Sequence, residues 1–248
     1  MVSTPIKVLF VHGLESRPGG TKTRLLRAAG FDVVAPDLEM VLLTLRRKHA
    51  LLRELLRLPE VVACVGASLI TGAMTALAGS VQTTSGVGLV FIRWLLVRRK
   101  ALTAAALRRS FDASLRRVTE TISTTSADVL VGSSWGGAVA AESVARGAWA
   151  GPTILLAPAL GKVREWTRAS EFDESVKRIR ERASLIPIMI FHDPTDETIP
   201  FAHSAALAED TSTDLRAVSA GGHRLLGLIE RGELAAAINE LVSSMPQQ

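Results

Sequence analysis

The sequence predicts an α/β protein: a mostly parallel central sheet with helices on both faces, interrupted by one helical insertion. Three observations carry that prediction. Short apolar runs alternate with helical stretches, the pattern of strands buried on both faces. Several runs stop at turn residues, as at His12-Gly13, at Pro36 and Asp37, and at the Gly-Gly pair after the last strand. A length of 248 residues suits one such domain with a sizeable insertion.

The elements follow in order. "IKVLFV" (6–11) is a buried parallel strand. Thr21 is placed to cap a short helix, "KTRLLRAA", that stops at Gly30. "DVVAPDL" (32–38) is the next strand, and a long helical and apolar block follows it. Alternation resumes with the strand "DVLVG" (128–132) and the helix "WGGAVAAESVARG", closed by Gly147. "PTILLAPAL" (152–160) reads as a strand and residues 171–183 as a charged surface helix. "IPIMIFHD" (186–193) is a strand, "AHSAALAED" a helix, "DLRAVSA" (214–220) a strand and 224–243 a helix.

Composition narrows the function classes. The single cysteine, Cys64, excludes an intramolecular disulfide framework and offers no metal-ligand cluster. The first residues read as a strand, not as a secretory signal, so a cytoplasmic location is expected. The net charge of +5 is uneven: residues 39–120 hold thirteen Lys/Arg against five Asp/Glu, whereas the rest is mildly acidic. That block suggests an anionic surface, lipid headgroups before nucleic acid, although a charge run alone favours a solvated helix face; no nucleic-acid partner is expected.

"LVGSSWGGAV" (130–139) holds the candidate nucleophile. Gly132-Ser133-Ser134-Trp135-Gly136 fits G-x-S-x-G only with Ser134 at its centre, because centring it on Ser133 puts Val131 and Trp135 where glycines belong. The glycines matter because such a serine sits on a sharp strand-to-helix turn, where larger neighbours would collide. A serine hydroxyl needs a base, and the base an orienting acid. Of the five histidines, His49 lies in the basic helix, His203 inside a helix, His192 at a strand end and His12 in "VHGL". His223 in "SAGGHRLL" follows the last strand on a glycine loop, at the sheet edge where ligands bind. For the acid, "FHDPTDETIP" offers Asp193, Asp196 and Glu197. Asp193 is nearest the strand and suits a turn before Pro194; Asp196 has more reach toward His223.

These motifs, with "VLFVHGLESRPGGTK" and "GFDVVAPDL", resemble in order those of the α/β-hydrolases, in particular the small bacterial YqiA-like esterases and their carboxylesterase relatives. The resemblance covers about two thirds of the chain and leaves out residues 39–100. It implies Ser134 as nucleophile, His223 as base and Asp196 as acid, with Asp193 standing where the family usually has glycine. It further implies an oxyanion hole from the backbone N–H groups of Leu14 and Trp135, and no metal or organic cofactor. The expected activity is hydrolysis of a small-molecule or lipid-like carboxylic ester or thioester through an acyl-enzyme. An acyltransferase would share every one of these residues. A catalytically idle hydrolase fold serving as a membrane-attached interaction module is the rival of another class.

The expected domains are therefore a hydrolase core, 1–38 and 101–248, and a helical apolar insertion, 39–100, far longer than an ordinary loop. In its first part Arg46, Arg53 and Arg57 share one stripe, and Leu45, Leu52 and Leu56 another. Residues 61–92 carry no charge at all, and "SVQTTS" (80–85) is placed to turn the chain back. Three readings stand: a lid over an acyl pocket, a hairpin or anchor on the inner, anionic membrane face, and a surface for a second copy of the chain. Arg93 opposes a full crossing, since an arginine near a bilayer centre costs about 2.5–3.5 kcal/mol.

Overall fold

The computed structural model describes residues 4–14, 16–38, 56–77, 81–169, 171–219 and 221–245. The chain divides into two compact units, one of Met1–Met40 with Phe111–Gln248, the other of Val41–Ser110.

In the first unit six strands form one sheet: β1 (Lys7–Val11), β2 (Asp32–Val34), β3 (Val129–Ser133), β4 (Thr153–Leu156), β5 (Ile188–His192) and β6 (Asp214–Ala217). Their order is β2-β1-β3-β4-β5-β6, and every neighbouring pair is parallel. "VLFV" explains β1, an interior strand: Val8, Leu9, Phe10 and Val11 are all buried, with Leu9 level with Val34 on one side and Leu130 on the other. One sheet face presents Val8, Phe10, Val131, Ile154 and Met189 to Leu26 of helix α1 (Thr21–Ala28) and to the C-terminal helices. The chain leaves β1 for β2 and returns on the other side as β3. Connections thus depart in opposite directions from the C-terminal ends of β1 and β3, and that split leaves a crevice suited to a ligand.

Several boundaries differ from the sequence expectation for local reasons. Gly20, not Thr21, is the cap of α1; the Thr23 hydroxyl donates to the carbonyls of Pro18 and Gly20. The run 152–160 splits into β4 and a helix, α5 (Leu160–Thr167), because Ala157 adopts a φ of 43° just before Pro158. The expected helix 224–243 is two, α8 (Leu226–Glu230) and α9 (Glu233–Ser243), separated by Gly232 at a φ of 78°. Helices α4 (Trp135–Ala145), α6 (Glu171–Ala183) and α7 (Phe201–Ala208) complete this unit. Every residue of α4 is buried, and α4 packs on β1, β3 and β4.

The second unit holds α2 (Pro59–Leu77) and most of α3 (Val81–Thr124), which ends in the first unit. Leu58 and Val61 pack with Leu102, Trp94 and Ala105, and the Arg98 guanidinium pairs with Glu60 at 3.0 Å. The start of α2 therefore lies beside the middle of α3, as in a helical hairpin. Residues 81–85, expected to turn the chain, are already helical. Leu45, Arg46, Leu52, Arg53 and His49 lie outside the described residues. Among the described residues no helix is long and apolar enough to cross a membrane.

Candidate active site

Ser134 stands between β3 and α4 with φ 55° and ψ −116°, a conformation that L-residues rarely adopt. The glycines around it are required by space. A Cβ on Gly136 would lie 2.1 Å from the Val11 carbonyl oxygen at the end of β1. A Cβ on Gly132 would lie 2.6 Å from both the Ala140 Cβ and the Gly136 oxygen. Gly136 lets the turn approach the neighbouring strand, and Gly132 lets α4 start against its own strand.

The turn delivers Ser134 to a hydrogen-bonded chain. Its Oγ lies 2.9 Å from His223 Nε2, and His223 Nδ1 lies 2.8 Å from Asp196 Oδ2. A carboxylate only accepts, so Nδ1 carries the proton and Nε2 is left to accept from the serine hydroxyl. The Asp196 carboxylate is fully shielded from solvent. Its other oxygen accepts the backbone N–H groups of Thr198 (2.7 Å) and Ile199 (3.0 Å). Burial alone would raise its pKa; the bonds from His223, Ile199 and Thr198 outweigh it and hold the carboxyl below its ordinary value.

Two neighbours hold this loop. His192, wholly buried, donates from Nε2 to the Ile199 carbonyl (3.0 Å), while its Nδ1 accepts from the Ser204 hydroxyl (2.6 Å). Burial lowers its pKa, as suits an uncharged ring. Both His223 ring nitrogens are taken by Asp196 and Ser134, and Asp193 bonds other groups. Its Oδ1 accepts the backbone N–H and hydroxyl of Thr195, and its Oδ2 accepts the Gly222 N–H at 2.6 Å. These donors, Thr195 first, lower its pKa to about 2.

Trp135 opens α4 directly after the serine, but its indole is core. It meets Phe111 edge-on at 5.4 Å, and its Nε1–H donates to Ser114. Gly13 abuts Ser134, since a Cβ there would lie 3.2 Å from the serine Cβ. The N–H of Leu14 belongs to the peptide that leaves this glycine. His12, behind it, donates from Nδ1 to the Gly13 carbonyl and accepts the Leu38 N–H at Nε2, which fixes the turn after β1.

A cavity of about 220 Å³ adjoins Ser134 and His223. Leu14, Arg17, Lys22, Ser133 and Arg224 are among its lining residues. Lys22 Nζ donates to Ser133 Oγ at 2.8 Å. A larger cavity, about 440 Å³, lies at α5, α6 and α7 beside His203 and contains none of the residues around Ser134. Sequence reasoning did not pick out Arg17, Lys22 or Arg224, or assign a role to Ser133. The one available signal was a basic residue in the first turn of the helix that follows the His-Gly turn. Among the described residues no three His, Cys, Asp or Glu side chains converge as metal ligands.

No protein-family model matches the sequence, and no curated protein does. Solved structures do resemble the fold. A protein of Xanthomonas campestris pv. campestris assigned to the alpha/beta hydrolase superfamily is 20% identical, with 96% of this chain and 99% of that one covered at a TM-score of 0.51. Est1E from Butyrivibrio proteoclasticus is 12% identical, with coverages of 95% and 86% and a TM-score of 0.53. TT1662 from Thermus thermophilus is 15% identical, with coverages of 99% and 92% and a TM-score of 0.58. At these identities the likeness speaks to architecture, and the architecture of this chain is the α/β-hydrolase fold.

Proposed function

We propose that the protein is a serine hydrolase of carboxylic esters or thioesters. The observation that carries this reading is the unbroken chain from Ser134 Oγ through His223 to buried Asp196, set on a strained turn. In it, His223 Nε2 takes the serine proton as Oγ attacks the acyl carbonyl. Asp196 keeps the imidazole in the required tautomer and stabilises the imidazolium. The backbone N–H groups of Trp135 and Leu14 receive the developing oxyanion, each such donor being worth about 3–4 kcal/mol. Collapse expels the alcohol or thiol, protonated by His223, and leaves the acyl group on Ser134. Water, deprotonated by the same histidine, then releases the acid.

The test is turnover of p-nitrophenyl esters by wild type and Ser134→Ala, with fluorophosphonate labelling of Ser134. Undiminished turnover in the variant rules out this nucleophile. Absence of both turnover and label in folded protein favours the idle-fold alternative. Transfer to an added alcohol in preference to water makes the enzyme an acyltransferase.

For the second unit we propose contact with an anionic membrane surface. Val62, Val65, Leu69, Ile70, Leu96 and Val97 are exposed apolar side chains, and Arg93, Arg98, Arg99 and Lys100 are exposed cations on α3 beside them in sequence. Sedimentation with phosphatidylserine vesicles, weakening with salt, is the expected result. Dimerisation without vesicle binding would instead give this surface to a second copy.

A further inference from the structure

The cavity beside Ser134 is lined by three cationic side chains, Arg17, Lys22 and Arg224, and by no carboxylate among the described residues. They arrive from separate places: Arg17 from the loop after β1, Lys22 from the first turn of α1, Arg224 from the histidine loop. None pairs with a described acidic residue. The Lys22 ammonium donates to a neutral acceptor, Ser133 Oγ. The first turn of α1 has no acidic residue to balance it.

Such a cluster is poorly suited to a wholly apolar ester. Burial, and then the nearby Arg224 charge, lowers the Lys22 pKa to about 8. A bound anion would relieve the repulsion and replace the lost hydration. Two guanidinium groups offer paired N–H donors that match carboxylate and phosphate oxygens. The volume of about 220 Å³ is below the roughly 300–1,000 Å³ of pockets for drug-sized ligands, so the charged portion is short.

We propose that this cavity binds an anionic group of the substrate, a carboxylate or phosphate on a short acyl or alcohol chain, between Arg17, Lys22 and Arg224. The proposal rests on the assignment of Ser134 as nucleophile and names the substrate class of that site. The charged end docks toward α1 while the ester carbonyl reaches Ser134.

Calorimetric titration of the full chain with glutarate and with glycerol 3-phosphate reads the site without turnover. Binding of glutarate alone identifies a carboxylate site, binding of glycerol 3-phosphate alone a phosphate site, and binding of both a general anion site. The Arg17→Gln/Arg224→Gln double variant should weaken that binding by at least about tenfold, and the double lysine variant should restore part of it. Both arginines are exposed, so the substitutions remove no core packing. Wild-type kinetics supply a second reading: mono-p-nitrophenyl adipate should exceed p-nitrophenyl hexanoate in kcat/KM by about tenfold or more, chiefly through KM. No binding of either anion and no preference for the adipate overturns the proposal, as does binding that the double variant leaves unchanged. Anion binding without ester turnover or Ser134 labelling would instead sink the hydrolase reading and leave the anion site standing.

Discussion

Asp193 Oδ2 accepts the backbone N–H of Gly222 at 2.6 Å, one residue before His223. The acid loop and the histidine loop are thereby tied twice, once through Asp193 and once through Asp196. Asp193 acts on backbone and leaves the imidazole to Asp196. Asp193→Ala should slow fluorophosphonate labelling of Ser134 by roughly 10–100-fold, because loosening His223 misplaces the base. Asp193→Asn keeps an accepting oxygen and should lose less. Equal labelling rates in all three proteins would show that the Gly222 bond does not position His223.

Asp196→Asn should lower kcat by about 10⁴-fold, since an amide can also donate and so admits the wrong histidine tautomer. The fold should survive, because the amide oxygen can still accept from Thr198 and Ile199. A variant that retains near-full kcat would remove Asp196 from the proposed triad.

Gly136 and Gly137 are adjacent but not equivalent. A Cβ on Gly136 runs into the Val11 carbonyl at 2.1 Å, whereas one on Gly137 meets the Pro158 Cα at 3.0 Å. Gly136→Ala should cost at least ~3 kcal/mol, and Gly137→Ala clearly less. Urea unfolding of the two variants compares them directly, and equal midpoints would contradict the packing described for the turn.

Lys22 titrates at about 8 in the folded chain, against 10.5 for the free side chain. It bonds the Ser133 hydroxyl and feels the Arg224 charge, and it shares the cavity with Arg17 and His223. Its charge, and with it part of the anion affinity, should fade as pH rises through about 8. Stability should move the opposite way. Between pH 8 and 10.5 the unfolded chain holds the Lys22 proton more tightly, so this group's contribution to folding grows with pH. Glutarate titrations from pH 7 to 9.5 check the first statement. Lys22→Arg should flatten the trend, since a guanidinium stays charged throughout.

Much of this molecule could be read from short windows of sequence. The apolar runs of β1, β3 and β5 announce buried strands, and the order of strands and helices dictates a parallel sheet. The spacing of Gly132 and Gly136 singles out Ser134 over Ser133, because the clash that demands them lies within the turn or against its neighbouring strand. Gly-Gly before His223 and the reach of Asp196 likewise follow from loop chemistry. These are local properties, set by side-chain period, backbone freedom and chain reach.

Other features needed the closed sheet. Nothing local distinguishes Lys22 or Arg224 from surface cations; they become lining residues of one cavity only when α1 packs against α8. Nor does "FHDPTDE" reveal that Asp193 will take the Gly222 N–H, since that donor comes from the loop after another strand. Trp135 is similar: its place after the serine makes it a backbone donor in the proposed mechanism, but packing against Phe111 decides that its ring is core. The sequence by itself determined most of the strands, the turn with Ser134 at its centre and the glycine loop that carries His223, and it narrowed the acid to Asp193, Asp196 and Glu197. Tertiary structure decided which charges meet around them, because electrostatic neighbours are chosen by distance in space and not by separation along the chain.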